Sequence, residues 1–522
     1  MKKQFPKGIQ TFADIRKGNY YYVDKTPYIV ELVKEKFVFL SRPRRFGKSL
    51  TLDTIAELFS GNKALFSGLY AENNWDWQKT YPIIRIDFGL NTSLDYKYLT
   101  KILHEQLSEI EREFGIERIY ETYSGRFGYL LKRISEQYQS QVVVLIDEYD
   151  KPILDNITDE RQAVLVRDVL RDFYGSIKAS DSYIRFSMLT GVSRFSKINL
   201  FSGLNNLTDI TLLEEFSALC GYTQSELETV FAPELEGVDL AKVKHWYNGY
   251  NWTGEAVYNP YDILLFLSNS RKMFKAYWFE TGSPTFLMDM LLHKHIDITS
   301  LQGIDSSEQV LSQFEVGDIS PIALMFQTGY LTVDKVLQLP FGVRYTFKFP
   351  NIEVQQSFNQ AVIYKFLPTQ ASQIIRIQSQ LYQNLVDDDL SGMFVTIQSF
   401  FAGIPYNWHS NNDIAHFEGY WASVFYAYFA SIGLHINVEE PTNNGRMDMT
   451  VFFADRVYIF EFKVIRQTTD KGSALAQIQD KKYDQKYQGL GKQIYEIGVE
   501  FDEKSLEIAF QSQTLPSNKP ID

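Results

Sequence analysis

Cysteine is nearly absent from this 522-residue chain, with Cys220 the single instance. One thiol excludes an internal disulfide and a cysteine-built zinc site, and it suits a reducing, cytoplasmic location. A long apolar run is missing as well. The start Met1-Lys2-Lys3 could open a secretion signal, but Phe5-Pro6-Lys7-Gly8-Ile9-Gln10 follows in place of an apolar stretch. The most apolar long segment, Tyr420 to Ile436, is broken by two serines, three tyrosines, a glycine and a histidine. It reads as a buried helix running into a strand, so no membrane association is expected. Positive charge is short: 52 Lys and Arg face 64 Asp and Glu, a net charge of −12. A uniformly basic coat is thereby excluded, whereas nucleic-acid binding through a local patch is not. Lys and Arg gather in residues 1–50 and again from Lys463 to Lys492, with the acidic excess mostly between. No internal repeat and no low-complexity linker interrupts the chain.

What is present is core-forming. A hydrophobic fraction of 45% and an aromatic fraction of 15% belong to a folded chain, long enough for three domains of ordinary size. Residues 30–215 alternate short apolar strands with helical patterns. Phe37–Leu40, Ile83–Ile86, Val142–Ile146 and Ile184–Leu189 read as buried strands. Leu52, Ile55, Ala56 and Phe59, and later Val166, Val169, Leu170, Phe173 and Ile177, recur at helical spacing. This alternation predicts an α/β fold with a parallel sheet covered by helices. A mostly helical, aromatic-rich middle region is expected over 216–380, and a final domain over 381–522. In that last part the order reads helix, strand, turn, strand, strand, helix, strand, an αβββαβ core.

Two groups of residues carry chemistry. Gly47-Lys48-Ser49 follows a strand and opens a helix, the setting a phosphate-binding loop requires. Backbone N–H groups over Arg45, Phe46, Gly47, Lys48, Ser49 and Leu50 would cradle phosphates at the helix N-terminus. Lys48 would meet the β/γ-phosphates of ATP, and the Ser49 hydroxyl would ligate Mg²⁺. A complete phosphate-loop pattern has glycine five residues before Gly47. Arg42 stands there, in Arg42-Pro43-Arg44-Arg45-Phe46, and the competing account is an ordinary basic loop before a helix. The strand Val142–Ile146 runs into Asp147-Glu148. Asp147 would hold Mg²⁺ through Ser49 and water, and Glu148 would orient the attacking water. Thr190-Gly191 ends the next strand, where Thr190 could sense the γ-phosphate, with Arg194 close behind; the alternative is a loop that merely turns the chain.

The second group is Gly445-Arg446-Met447-Asp448 followed by Glu461-Phe462-Lys463. Asp448 and Glu461 fall on neighbouring strands joined by a turn at Ala454–Arg456, so the two carboxylates can hold Mg²⁺. Glu461 and Lys463 are two apart on a strand and share a face. Lys463 can then orient water or stabilise a pentavalent phosphate. Lys481, Lys482 and Lys486, with Tyr483 interleaved, follow on a helix; a solvated face is the blander reading.

The chain resembles the AAA-ATPase-like proteins fused to a C-terminal PD-(D/E)xK nuclease. The resemblance rests on Tyr22-Val23-Asp24-Lys25-Thr26, Arg42 to Ser49, Leu145 to Asp150, Thr190-Gly191-Val192-Ser193, Tyr247-Asn248-Gly249-Tyr250 and Tyr258-Asn259-Pro260. It implies an N-terminal P-loop NTPase domain over 1–215 and a restriction-endonuclease-like C-terminal domain. It also implies that the arginine-rich loop is a family trait, that Gln477 is the family's glutamine beside the catalytic set, and that Glu418 is an additional acidic metal ligand. Glu418 can equally be helix capping. The implied function is an ATP- and Mg²⁺-dependent enzyme acting on nucleic acid, DNA or RNA, with a homo-oligomer open. The rival is a nucleotide-switched regulatory or interaction protein whose nuclease-like domain binds without cutting. Tyr247–Tyr250 carries no derivable chemistry and reads as an aromatic turn in the helical region.

Overall fold

A computed structural model describes residues 3–89, 95–194, 200, 206–278, 287–288, 290–291, 298–301, 303–307, 310–311, 314–315, 318–340, 342–366, 371–402, 418–442, 444–466, 471–502 and 507–515. The chain divides into two compact units, residues 1–282 with 305–351, and residues 283–304 with 352–522. The segment expected to form one helical middle domain is thus shared between the two units.

The first unit is built on a sheet of β1 (Phe37–Ser41), β2 (Ile83–Asp87), β3 (Val142–Asp147), β4 (Ile184–Gly191) and β5 (Thr208–Asp209). Their order is β2-β3-β4-β1-β5, and every pairing is parallel. β1 and the first five residues of β3 are buried throughout, which is why they are continuous apolar runs and not alternating ones. The connecting helices begin where the sequence supplies caps. Asp95 accepts from Tyr98 N at the head of Tyr96–Phe114, and Asp159 from Gln162 N at the head of Glu160–Ala179. Because β4 inserts between β1 and β3, the loop after β1 and the ends of β2, β3 and β4 open on one edge of the sheet. Ligands of open α/β sheets bind at such an edge.

Residues after 216 add short helices and further strands: β6 (Ile304–Ser307), β7 (Phe314–Glu315), β8 (Asp318–Ile319) and the antiparallel hairpin β9 (Thr332–Leu339) and β10 (Gly342–Lys348). The hairpin departs from the helical expectation. Its strands leave Val336 and Leu337 about half exposed, so they lack the continuous apolar character that marks a buried strand in sequence.

The second unit carries a five-stranded sheet of β11 (His435–Thr442), β12 (Gly445–Phe453), β13 (Arg456–Ile465), β14 (Gln493–Asp502) and β15 (Ile508–Leu515), in that order. β13 and β14 are parallel and the other neighbours antiparallel. The helix Glu418–Ser431 precedes the sheet and Ser473–Lys481 bridges β13 to β14. The αβββαβ order is therefore present, with β15 as an added edge strand. The bridging helix is shorter than expected. Lys482, at φ 50°, ends it in the left-handed region, and 3₁₀ turns carry the chain on to Leu490. Among the described residues no helix is long and apolar enough to cross a membrane.

Candidate functional site

The helix Lys48–Phe59 starts directly at the end of the loop that follows β1. Gly47 precedes it at φ 90°, a conformation glycine adopts without strain. No side chain caps the helix, so its first N–H groups are available to an anion. A Cβ placed at Gly47 would meet nothing within 4 Å, so the loop opens outward at this point. These features fit a phosphate group. Lys48 is 7% exposed, and its ammonium donates to the loop's own carbonyls, Arg42 O at 2.9 Å and Pro43 O at 3.1 Å. Burial lowers its pKa, and the charges of Asp147, Glu148 and Asp150 counter that fall.

The acidic side of the site is ordered by β4. Thr190 Oγ1 donates to Asp147 Oδ1 at 2.6 Å. Asp150 accepts from Val192 N at 3.1 Å and Ser193 N at 2.5 Å, tying the turn after β3 to the end of β4. Glu148 sits at φ 49°, a costly backbone state for a residue with a Cβ. Asp87 lies in register with Asp147. Burial, then repulsion from Asp147 and Glu148, raises the Asp87 pKa.

The Arg42 side chain turns inward. It is fully buried, stacks over Trp252 at 4.2 Å, and donates to the carbonyls of Ser41, Thr211 and Phe216. Burial pulls the guanidinium down to about 10, so it stays charged at neutral pH. Phe46 packs edge-on against Tyr250 and Trp252, while Arg45 lies over Tyr261 at 4.8 Å. The Tyr247–Tyr250 turn therefore braces the back of the loop. Gly249 is obligatory there, because a Cβ would stand 1.9 Å from Pro350 O. Arg42→Ala should strip a charged donor from three buried carbonyls, of which Phe216 O keeps a backbone partner in Leu219 N, and cost about 3–5 kcal/mol of stability. Arg42→Lys should not rescue it, since a single ammonium nitrogen cannot span the acceptors that Arg42 meets from two guanidinium nitrogens, nor stack flat over Trp252. Thermal melts of both variants check this; parent-like melting of Arg42→Ala would refute this structural role.

In the second unit, β12 and β13 pair antiparallel around the turn at Ala454, with Met449 opposite Phe460. Asp448 Oδ2 accepts from Phe462 N at 2.8 Å, across the strand pair. Glu461 is 1% exposed, Lys463 Nζ stands 3.4 Å from its Oε1, and Gln477 Nε2 donates to the same oxygen. Gln477 reaches it because the helix Ser473–Lys481 lies directly on β14 at Gly498, the in-register neighbour of Glu461. A Cβ at Gly498 would stand 2.5 Å from Leu475 N. Two carboxylates on adjacent strands, with a cation beside one of them, suit a hard divalent ion.

A family model described as "Predicted AAA-ATPase" matches residues 6–201, and one described as "PD-(D/E)XK nuclease superfamily" matches 416–511. An Azotobacter chroococcum mcd 1 protein printed as "Uncharacterized protein in vnfD 5'region" is 49% identical over 509 residues, covering 97% of this chain and 98% of its own. The chain belongs to the family of AAA-ATPase-like proteins with a C-terminal PD-(D/E)xK nuclease domain.

The candidate residues of this AAA-ATPase–nuclease fusion fall into two sets. Lys48, Asp147 and Thr190 come together, with Ser49 in the first turn of the helix and Glu148 next to Asp147. Asp448, Glu461, Lys463 and Gln477 come together in the second unit. Glu418 begins the helix Glu418–Ser431, and its side chain lies outside the described residues. Arg194 is held at 2.5 Å by Asp209 and not at the end of β4. Tyr483 is no stacking platform among lysines. It is 1% exposed and donates to Arg446 O, while Lys486 is held by Glu440. Lys481 and Lys482 remain exposed.

Three residues escaped the sequence reading. Asp87 ends a strand by an ordinary-looking Asp-Phe-Gly, and only the strand order reveals its neighbour. Asp150 was legible as part of Asp147-Glu148-Tyr149-Asp150, though not its role. Glu500 faces Lys463 in register and accepts from Gly472 N at 2.7 Å, anchoring the helix that carries Gln477. No local spacing announces that contact, which spans 28 residues.

Proposed function

We propose that this protein binds and hydrolyses ATP with Mg²⁺ in its first unit and cleaves nucleic acid with a divalent ion in its second. The carrying observation is the grouping of Asp448, Glu461, Lys463 and Gln477 on one face of the nuclease-like sheet, with Lys463 3.4 Å from Glu461. That set is complete, and a binding-only descendant has no need to keep the lysine.

In the first unit, the N-terminus of Lys48–Phe59 receives the phosphates and Lys48 exchanges its two loop carbonyls for phosphate oxygens. Ser49 and Asp147 would hold Mg²⁺, which neutralises charge on the phosphates when bound. Thr190 fixes the Asp147 carboxylate, and Glu148 accepts the proton of the attacking water. In the second unit, Asp448 and Glu461 would hold the ion that activates water. Lys463 places positive charge where the phosphate gains negative charge, and Gln477 orients Glu461. The exposed Lys481 and Lys482 offer a local basic patch for a polyanion on an otherwise acidic chain.

The test is incubation of the purified protein with plasmid, linear DNA and RNA, in Mg²⁺ or Mn²⁺, with and without ATP. Cut products dependent on the divalent ion are expected. For the first unit, Glu148→Gln should bind ATP as the parent does yet release phosphate about a hundredfold more slowly or worse, since an amide cannot accept the proton. Parent-rate phosphate release by that variant removes Glu148 from the role.

A further inference from the structure

A cavity of about 60 Å³ lies against the phosphate loop, and the hydrolytic chemistry has no use for it. Gly47 and Leu50 line it, and so does Thr54, one turn further along the helix Lys48–Phe59. Two other segments contribute walls: Tyr22-Val23 with Lys25, and Leu219 with Tyr222. One water needs about 10–15 Å³ of such space, so the cavity has room for about four to six waters and is larger than a packing defect. A nucleotide is covalently continuous, so a site for its base must begin where the phosphate cradle ends. Gly47 and Leu50 belong to both.

The chemistry of the lining suits a flat heterocycle. Tyr22 and Tyr222 are both half-buried, one on each segment. Phe12 meets the Tyr22 ring edge-on at 5.2 Å, and Phe231 packs on the Tyr222 ring at 5.6 Å, so both aromatic walls are braced. Aromatic side chains take a base by stacking. Val23 is 5% exposed, yet neither its backbone N–H nor its C=O has a hydrogen-bond partner among the described residues. Buried backbone groups are nearly always paired, so this donor and acceptor await a ligand edge. Adenine carries a ring-nitrogen acceptor beside its N6 amino donor, the complementary pair. The two segments are also fastened to each other. Lys25 Nζ donates to Ala218 O and to Glu226 Oε1, each at 2.7 Å, so the walls keep their spacing without help from a ligand.

We infer that this cavity holds the adenine base of the bound nucleotide, stacked against Tyr22 and Tyr222 and met along one edge by the Val23 backbone. The inference rests on the reading of Gly47 to Ser49 as the phosphate cradle. It gives the Tyr22–Thr26 and Leu219–Tyr222 segments a task that the phosphate chemistry leaves them without.

The test is calorimetry of the full-length protein in Mg²⁺ with two ligands: a non-hydrolysable ATP analogue, and inorganic tripolyphosphate, which keeps the phosphates and lacks the base. The parent should bind the analogue about tenfold more tightly or better, the usual worth of one stacked base. Tyr222→Ala removes a ring but leaves the backbone bonds between Tyr222 and Tyr258. It should weaken the analogue about tenfold and leave tripolyphosphate binding unchanged. Thr54→Leu adds bulk to the cavity wall and should do the same with both rings in place. Thermal melts identify a variant that fails to fold, and the two-ligand comparison on the parent decides without it. Three results overturn the inference: a parent that binds tripolyphosphate as tightly as the analogue, folded Tyr222→Ala and Thr54→Leu proteins that bind the analogue as the parent does, or variants that lose tripolyphosphate as much as the analogue. A distinct result, Lys48→Ala binding tripolyphosphate as the parent does, would overturn the phosphate reading itself and the inference with it.

Discussion

Cutting by the Lys463→Ala protein is expected to fall by on the order of a thousandfold at saturating Mn²⁺, and Asp448→Ala and Glu461→Ala should fall at least as far. The lysine is the only one of the three that does not depend on metal to act. Its ammonium stands 3.4 Å from Glu461 Oε1, so it belongs to the face that would meet the scissile phosphate. Removing it takes away fixed positive charge where negative charge develops. The carboxylate variants need more care. Glu461 is 1% exposed, and an alanine there would strand the Gln477 amide and the Lys463 ammonium beside a small void. Glu461→Gln keeps the volume and is the cleaner probe. Asp448→Asn likewise retains an oxygen for Phe462 N, whereas Asp448→Ala also costs about 1–2 kcal/mol of stability through the orphaned N–H. Single-turnover cleavage, read beside a melt for each variant, separates lost chemistry from lost fold. Variants that all cut at the parent rate would end the assignment of this face, and a parent inert on every DNA and RNA form would end the nuclease reading.

The elements that sequence displays most openly are those whose residues are buried on both sides. Val142–Ile146 and Phe37–Leu40 are runs of apolar residues because both faces of a central parallel strand need them, so strand and position follow together. The Asp448–Glu461–Lys463 set was legible because its members lie on consecutive strands of a hairpin, where spacing and geometry are nearly the same statement. Asp87 and Glu500 were not legible, since each lies beside its site neighbour, Asp147 or Lys463, across parallel strands joined by a long crossover. Arg42 shows a different limit. Its position in the loop was plain, but its side chain turns inward, into a bed of carbonyls beside Trp252, a contact made with residues up to 210 positions later in the chain. Tyr483 was misplaced for a related reason: Lys482 ends the helix, so the lysines and the tyrosine do not share the continuous helical face their spacing implies.

Lys48→Ala is expected to weaken Mg-ATP binding by roughly a hundredfold or more, the usual cost of removing one member of a buried, hydrogen-bonded charge set. The loss has two parts. The bound phosphates lose a point charge and its hydrogen bonds. The site also loses the cation that balances Asp147, Glu148 and Asp150, so a triphosphate would approach those carboxylates with less positive charge to offset them. Arg42 O and Pro43 O would lose their donor at the same time, which loosens the loop that Phe46 and Arg45 hold from behind. The pH dependence carries a sign that an exposed lysine would not give. Burial lowers the Lys48 pKa from its ordinary value, so the unliganded protein sheds this proton at lower pH than a surface lysine does. ATP affinity should therefore decline as pH rises, starting before a free lysine side chain would titrate, and Lys48→Ala should lack that decline. Calorimetry with a non-hydrolysable ATP analogue across a pH series measures both effects. Unchanged affinity in a folded Lys48→Ala protein would show that this loop does not hold phosphate.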